Sequence, residues 1–513
     1  MHKEPEWYQA HVAAQCRKNP CLSSLERFLS ERKESEHACR IATIDFIENE
    51  DGSKGCQNRF LHADDIKFAI SSVDQPTNLK GRILIVEDVS RELMEFLGSS
   101  LAIDPFFLAS HVYTPYREIS MQTPNLATLP SRNRHQRYFN THYHRTLELP
   151  ERCDYLRQLH TVRAMNISRK LAVLPPTHGT SIGLAQHALS IHLFTQEEHG
   201  GHWLCLMLVD SSIPNGLLSL DSRDKTAKER WARFNLRTKL FLSGYEDFLD
   251  PPEVYTASAD AWEPPSRLGM LEDLTYYWSR KWPADFDSTN PTLLSLCFYP
   301  LKIIAAEWMN VLAVMNYHIK RYEYSIEGQK TIAQDLDRLN TDLNSLQRWK
   351  RRNLSSQQKI RAIRSFVDSH VASHVAGGLT TTIEQGYSMN PCCLVDDFAY
   401  LTTSLTQYSE RLESMLPVVM SLVQISDTRR SLAEAANISR LTYLAFVFVP
   451  LSFTSSLFSM NADISPGGRQ FWIYFAVAVP ITAAAFLLAR PPGSPRAWLQ
   501  SRIFPARSVA VQV

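Results

Sequence analysis

The run LTYLAFVFVPLSFTSSLFSM, residues 441–460, contains no charged side chain. A helix needs about 20 apolar residues to cross the hydrocarbon core of a bilayer, and this run has that length. A second uncharged run, FWIYFAVAVPITAAAFLLA at 471–489, follows after NADISPGGRQ at 461–470. The intervening segment, with one Pro and two Gly, reads as a turn, so the two runs form a helical hairpin. Pro450 and Pro480 fall inside the two runs. In water each would cost a helix roughly 3 kcal/mol, whereas membrane helices tolerate Pro when neighbours satisfy the freed carbonyl. The competing reading is an apolar hairpin inside a soluble core. Two successive uncharged runs of this length argue for the bilayer instead.

Basic residues give the orientation. Arg429, Arg430 and Arg440 precede the first run, and Arg490, Arg496, Arg502 and Arg507 follow the second. The loop between holds only Arg469 against Asp463. The positive-inside rule then puts residues 1–440 and the basic tail 490–513 in the cytosol and the short loop outside. Trp472, Tyr474 and Trp498 are placed to sit near the interfaces.

The rest of the 513 residues is of ordinary soluble character. Formal charge is +1, so no global excess of charge points to nucleic acid or an acidic partner. The nine cysteines are odd in number, scattered and without a C-x-x-C pair, which argues for a reducing compartment. Met1 to Cys16 lacks the apolar stretch of a signal peptide. No glycine-rich phosphate loop and no nucleophile elbow appear, so the chain is not expected to be an enzyme or to carry a resident cofactor.

Five parts are expected along the chain. Residues 1–80 read as a weakly patterned N-terminal extension, with an early strand at Ile41 to Ile47. Residues 81–290 read as a cytosolic mixed α/β domain. Ile83 to Val86 is a short buried strand, and Ser90 is the N-cap of a helix ending near Gly98. Leu189, Ile191 and Leu193 alternate with Ser190 and His192 as a half-buried strand, and WLCLMLV at 203–209 is a central one. Residues 291–440 read as long helices: Leu293 to Tyr324, the amphipathic Asp335 to Arg352, then, after a loop from Ala376 to Asn390, a stalk from Leu394 to Arg440. Leu401, Leu405, Tyr408, Leu412, Met415, Val419 and Leu422 recur on that stalk in steps of four and three, a heptad stripe for packing against other helices; Pro417 interrupts it. The last two parts are the hairpin, 441–489, and the tail, 490–513. The fold class is thus an α+β cytosolic domain, long helices and a C-terminal two-helix transmembrane hairpin.

Three features carry chemistry. Ile438, Thr442, Ala445, Val449, Ser452, Ser456 and Ser459 fall on one stripe of the first span, small and hydroxyl-bearing towards its outer end. Such a stripe faces protein or water rather than lipid; it lines a pore or packs a neighbouring helix through small residues. Two spans cannot enclose a pore, so conduction requires an oligomer. At the outer end stands Ser459-Met460-Asn461. A ring of Asn461 amides would hold a Mg²⁺ ion through its hydration shell, since Mg²⁺ dehydrates reluctantly. The plainer reading is that Asn461 ends the helix. Thirdly, His135, His142 and His144 in RNRHQRYFNTHYHR, and His199 and His202 in HGGHW, could bind zinc or let the basic–aromatic run touch nucleic acid. Their spacing matches no structural zinc motif and no Cys or carboxylate completes a ligand set, and the basic run is expected to be a solvated strand or loop edge.

The stretch RLTYLAFVFVPLSFTSSLFSMN, its turn and the second span opening at FWIYF resemble the CorA family of divalent-cation transporters, and are similar to its divergent fungal members. Leu394 to Arg440 matches the family's stalk. ILIVEDVS…LAIDPFFLASH, Ile83 to His111, resembles the strand–helix opening of the family's cytosolic domain. The resemblance implies a homopentamer in which the first span lines the pore and the second packs outside it. It also implies a Gly-Met-Asn signature at the pore mouth. Met460 and Asn461 match, and Ser459 replaces Gly. The family's acidic outer loop survives as Asp463, and an acidic ring at the cytosolic entrance falls near Gln424.

The expected function is therefore a CorA-like channel or transporter for divalent cations, with Mg²⁺ passing partly hydrated from Asn461 along the stripe. Its partners would be the lipid bilayer, further copies of itself and the ion. The plasma membrane is the default location of this multi-pass protein. Two alternatives stand beside it: a Zn²⁺ or other transition-metal transporter on the same scaffold, and a non-conducting membrane-anchored sensor or adaptor.

Overall fold

The computed structural model describes residues 6–31, 38–48, 51–62, 65–71, 76–114, 137–149, 159–161, 165–167, 169–174, 181–211, 217–219, 233–234, 239–249, 264–327, 336–376, 392–459 and 471–489. The chain divides into two units, one of residues 1–324 and 346–414, the other of 325–345 and 415–513.

The first unit is built on a mixed sheet. Helices α1 (Glu6–Lys18) and α2 (Ser23–Ser30) precede strands β1 (Arg40–Glu48) and β2 (Lys54–Leu61). A short α3 (Ile66–Ile70) leads to β3 (Leu79–Glu87). Residues 1–80, expected as an extension, thus contribute two strands to the same sheet as β3. The sequence concealed this because β2, KGCQNRFL, is an edge strand paired only with β1 and exposes most of its side chains. An edge strand needs no apolar face to be held.

The helix that follows β3 was legible. Ser90 caps α4 (Arg91–Ser100), its Oγ accepting the Leu93 N–H at 3.2 Å. Asp104 caps α5 (Pro105–Val112) in the same way, with Pro105 at the first helical position. Strand β4 (Tyr138–Leu149) follows, then the short β5 (Leu159–Thr161) and β6 (Lys170–Val173) and the long β7 (Ser181–Phe194). A one-turn α6 (Gln196–His199), with a capping box between Thr195 and Glu198, turns the chain into β8 (Trp203–Val209). Every residue of β8 is buried, as expected of a central strand: it pairs parallel with β3 and antiparallel with β7. Small strands β9 (Leu217–Ser219), β10 (Arg233–Phe234) and β11 (Lys239–Leu240) complete the described sheet, in the order β10-β9-β5-β6-β7-β8-β3-β1-β2, with β4 bridging β7 and β11.

Strand β7 differs from the half-buried strand its alternation predicts. Only His192 is partly exposed; the intervening Ser190 is fully buried and bonded to the His111 ring at 3.0 Å. Alternation fails here because hydrogen bonds satisfy the polar positions inside the core. Gly81 is required by packing: a Cβ there would lie 2.0 Å from the indole of Trp203 on the adjoining strand.

Four long or medium helices follow: α7 (Met270–Arg280), α8 (Leu293–Glu327), α9 (Leu336–Ala376) and α10 (Cys392–Phe458). The apolar segment Leu293–Tyr324 is long enough to cross a membrane, but 78% of its most apolar window is buried. It is a core helix of the first unit, tied down by Glu307, which accepts from the buried Arg145 at 2.9 Å. Helix α9 runs well past Arg352, where its expected amphipathic stretch ended. Its polar residues Asn353 and Gln357 donate to the Leu405 carbonyl of α10, while Leu401, Leu405 and Leu412 of the heptad stripe are buried. The expected loop between these helices, apart from Ala376, and the tail 490–513 lie outside the described residues.

In the second unit α10 continues without interruption to Phe458, with Pro417 and Pro450 inside it, and α11 (Trp472–Ala489) follows with Pro480 inside. Met415 and Val419 of the heptad stripe are buried.

Candidate ion pathway on the first apolar span

The apolar end of α10 is almost wholly uncovered. Only 6% of its most apolar window is buried, in contrast to the core helix α8. The few covered positions lie on one face: Thr454 is buried, and Val447, Leu451 and Phe458 are half-buried. These recur at spacings of four, three and four, one side of a 3.6-residue helix. The Phe458 ring meets Tyr474 of α11 at 6.2 Å between centroids, so this is the side of the second apolar helix. On α11, Ala478 is buried, and Tyr474 and Thr482, four residues to either side of it, are half-buried.

The hydroxyl-bearing stripe is elsewhere. Ile438, Thr442, Ala445, Val449, Ser452, Ser456 and Ser459 are all exposed in the single chain. At about 100° per residue the stripe centres roughly half a turn from the face of Thr454. Small residues packing α10 on α11 therefore do not account for it. The covered face was missed in the sequence because Val447, Leu451 and Phe458 look no different from lipid-facing residues; Thr454 was its one distinguishing mark.

Local hydrogen bonds keep the helix closed. Thr442 donates to the Ile438 carbonyl at 2.8 Å, Thr454 to those of Pro450 and Leu451 at 3.0 Å, and Thr482 to that of Ala478 at 2.6 Å. Back-bonding of this kind satisfies a hydroxyl where water is scarce. The Ser459 N–H donates to the Ser455 carbonyl at 2.9 Å, and Ser459 is not among the described residues with positive φ. Serine thus stands here in ordinary helical geometry, with none of the strain a left-handed conformation would impose on a Cβ. Met460, Asn461 and Asp463 lie outside the described residues. Gln424 is exposed on α10.

The histidines do not form the solvated edge that was expected. His142 and His144 lie on β4, His142 buried and His144 half-buried. Burial pushes both imidazoles well below their ordinary range, with the charges of Arg169 and Lys359 adding to the effect at His142 and those of Lys359 and Arg352 at His144. They are neutral core histidines. His199 and His202 are buried too, their rings 4.7 Å apart, and burial lowers both. His135 lies outside the described residues, among which no group of three metal-ligating side chains is found.

An α/β unit, long helices and a pair of apolar C-terminal helices, the first with a polar stripe turned away from the second, define a membrane protein whose first span keeps a face for something other than its own partner helix. Residues 327–490 match the family model described as CorA-like Mg2+ transporter protein. No curated protein matches the chain. Among solved structures, it is similar to the complete structure of the CorA magnesium transporter from Methanocaldococcus jannaschii, at 11% identity and a TM-score of 0.35 over 88% of this chain and 98% of that one. It is also similar to the structure of the full-length CmaX protein, at 12% identity and a TM-score of 0.36 over 89% and 98%.

Proposed function

We propose that the protein conducts divalent cations, Mg²⁺ first among them, through a pore lined by the stripe of α10 in a homopentamer. The observation that carries this reading is the placement of the stripe about half a turn from the side of α11. A row of hydroxyls facing lipid would be costly, whereas around a shared axis it offers oxygens to a hydrated ion. Ile438, Thr442, Ala445, Val449, Ser452 and Ser456 would line the path, and Ser459, Met460 and Asn461 would form its mouth beside Asp463. Asn461 would touch the ion through its hydration shell. Both termini would be cytosolic, in the plasma membrane, with the loop 461–470 outside.

Thiol accessibility tests this arrangement. In an otherwise cysteine-free chain, Ser452→Cys and Ser456→Cys are expected to react with a charged, water-soluble thiol reagent and to lose flux on reaction, while Thr454→Cys stays unreactive. Ser465→Cys in the loop should react with an impermeant reagent on intact cells. Equal reactivity at Ser452→Cys and Thr454→Cys would remove the stripe from the water path, and labelling at the C-terminal tail instead of the loop would invert the topology.

Assembly is tested separately. Native mass measurement in mild detergent is expected to give five times the 58.6 kDa chain mass. A stable monomer or dimer would leave the stripe without enough copies to enclose a path.

One observation favours a second ion. Ser459 stands where the resembling family has Gly, and its hydroxyl would add a ring of direct oxygen ligands below the mouth. A transition-metal ion such as Zn²⁺, nearly equal to Mg²⁺ in size but more readily dehydrated, would use such ligands, and a panel of metals in the flux assay distinguishes the two.

A further inference from the structure

Ser190 of β7, His111 of α5 and Asp210, the residue after β8, stand in a row inside the first unit. The His111 Nδ1 lies 3.0 Å from the Ser190 hydroxyl, and its Nε2 faces Oδ1 of Asp210 at 3.9 Å. The residue types are those of a nucleophilic triad, but Ser190 and His111 are completely buried and no substrate reaches the hydroxyl. The gap on the carboxylate side matters more. At 3.9 Å there is no hydrogen bond, and the buried Nε2 has no other partner.

Asp210 is turned towards other groups. Arg169, itself buried, grips it with a fork: Nε donates to Oδ2 at 2.7 Å and Nη2 to Oδ1 at 2.9 Å. The Ala188 N–H of β7 donates to Oδ2 at 2.6 Å. The same guanidinium donates to the carbonyls of His111 at 2.7 Å and Tyr113 at 3.2 Å, at the C-terminal end of α5. One ion pair therefore pins the end of α5 to the sheet. The polar and titratable groups facing the His111 ring are Ser190 from β7, His142 from β4, Arg169 from the segment before β6 and Asp210 after β8. Burial holds the ring well below the ordinary imidazole range, and the charges of Arg169 and His142 add to the effect. A proton on the buried ring is tolerable once Asp210 turns to meet it, since a buried charge needs a partner.

We propose that His111, Asp210 and Arg169 form a proton-driven switch: protonated His111 draws Oδ1 of Asp210 into a charge-assisted hydrogen bond, the Arg169 fork loses one arm, and the C-terminal end of α5 is released. The proposal is independent of conduction, since every residue in it belongs to the first unit.

In the pinned arrangement the ring is neutral, whereas in the released one it titrates in the ordinary range, near about 6.5. The pinned form thus binds fewer protons. Its advantage is complete above about pH 6.5 and shrinks about tenfold for each pH unit below it.

Hydrogen exchange of the full-length protein in detergent, read by mass spectrometry from about pH 7.5 to about 5 and corrected for the intrinsic pH dependence of exchange, tests this. The reporter is the end of α5, where the Tyr113 N–H donates to the Ala109 carbonyl at 3.0 Å; strand β8 is the reference. Protection at the end of α5 is expected to fall about tenfold per pH unit below about 6.5 while β8 stays protected. His111→Asn keeps an amide near Ser190 but takes no proton, and its protection should not change with pH. His142→Asn should keep the parental slope. Parental protection that does not respond to pH, loss at α5 and β8 together, a parental slope in folded His111→Asn, or a slope abolished in folded His142→Asn would each overturn the switch.

Discussion

Asn461→Ala is expected to abolish divalent-cation flux while leaving the oligomer assembled. Asn461 follows the stripe that runs from Ile438 to Ser459, and its amide is the strongest neutral acceptor in the sequence at that end. Mg²⁺ holds its water tightly, so a selective mouth must recognise the hydrated ion by hydrogen bonds from neutral oxygens. Alanine supplies none. Ser459→Ala should weaken discrimination among ions and spare assembly, because the helix is already closed there through the Ser455 carbonyl. Ser459→Gly should still conduct. The check is ion uptake into vesicles reconstituted with each variant, alongside native mass. If Asn461→Ala assembles and conducts like the parent, the amide ring is not the filter, and the family scaffold works here by other chemistry.

The second large effect is on folding. Arg145 and Glu307 form an ion pair at 2.9 Å with both side chains buried, joining β4 to the core helix α8. Burial pushes the Glu307 carboxyl up, and Arg145 opposes that shift. The guanidinium also donates to the carbonyls of Leu268 at 2.8 Å and Arg267 at 2.5 Å, where Arg267 holds a positive φ of 57°. Glu307→Ala would leave a buried cation without its counter-charge, at a cost of about 3–5 kcal/mol. That is a large part of the roughly 5–15 kcal/mol by which a domain is stable. Glu307→Ala is therefore expected to melt far below the parent, or to fail to accumulate folded. Arg145→Met with Glu307→Leu should recover part of the loss, since the pair is then gone but the bonds to residues 267 and 268 are not restored. A parental melting temperature for Glu307→Ala alone would contradict the role given to this pair.

Elements whose residues had one dominant reason to be where they are could be read from the chain. WLCLMLV at 203–209 can only be a fully covered strand, and Ser90 before an amphipathic helix is its cap. The uncharged runs at 441–460 and 471–489 announce their own length. Elements held by their neighbours could not be read. Strand β2 has no apolar stripe because it is an edge, and β7 buries Ser190 because the His111 ring across the core receives it. The histidines of β4 misled for the same reason: polar letters in a sequence look solvated until a fold covers them. At the candidate site the stripe was legible by its spacing. Its orientation was not, because only the ring contact between Phe458 and Tyr474 reveals on which side α11 lies.

Flux through the purified full-length protein decides whether the pore conducts. Protein reconstituted into lipid vesicles loaded with a Mg²⁺-sensitive dye is given an inward Mg²⁺ gradient and an inside-negative potential. Mg²⁺ entry well above that of protein-free vesicles is predicted, and it should disappear in Asn461→Ala vesicles carrying the same amount of assembled protein. Entry no faster than in empty vesicles, for Mg²⁺ and across a panel of other divalent ions, would contradict the account and leave a membrane-anchored sensor or adaptor on the same scaffold.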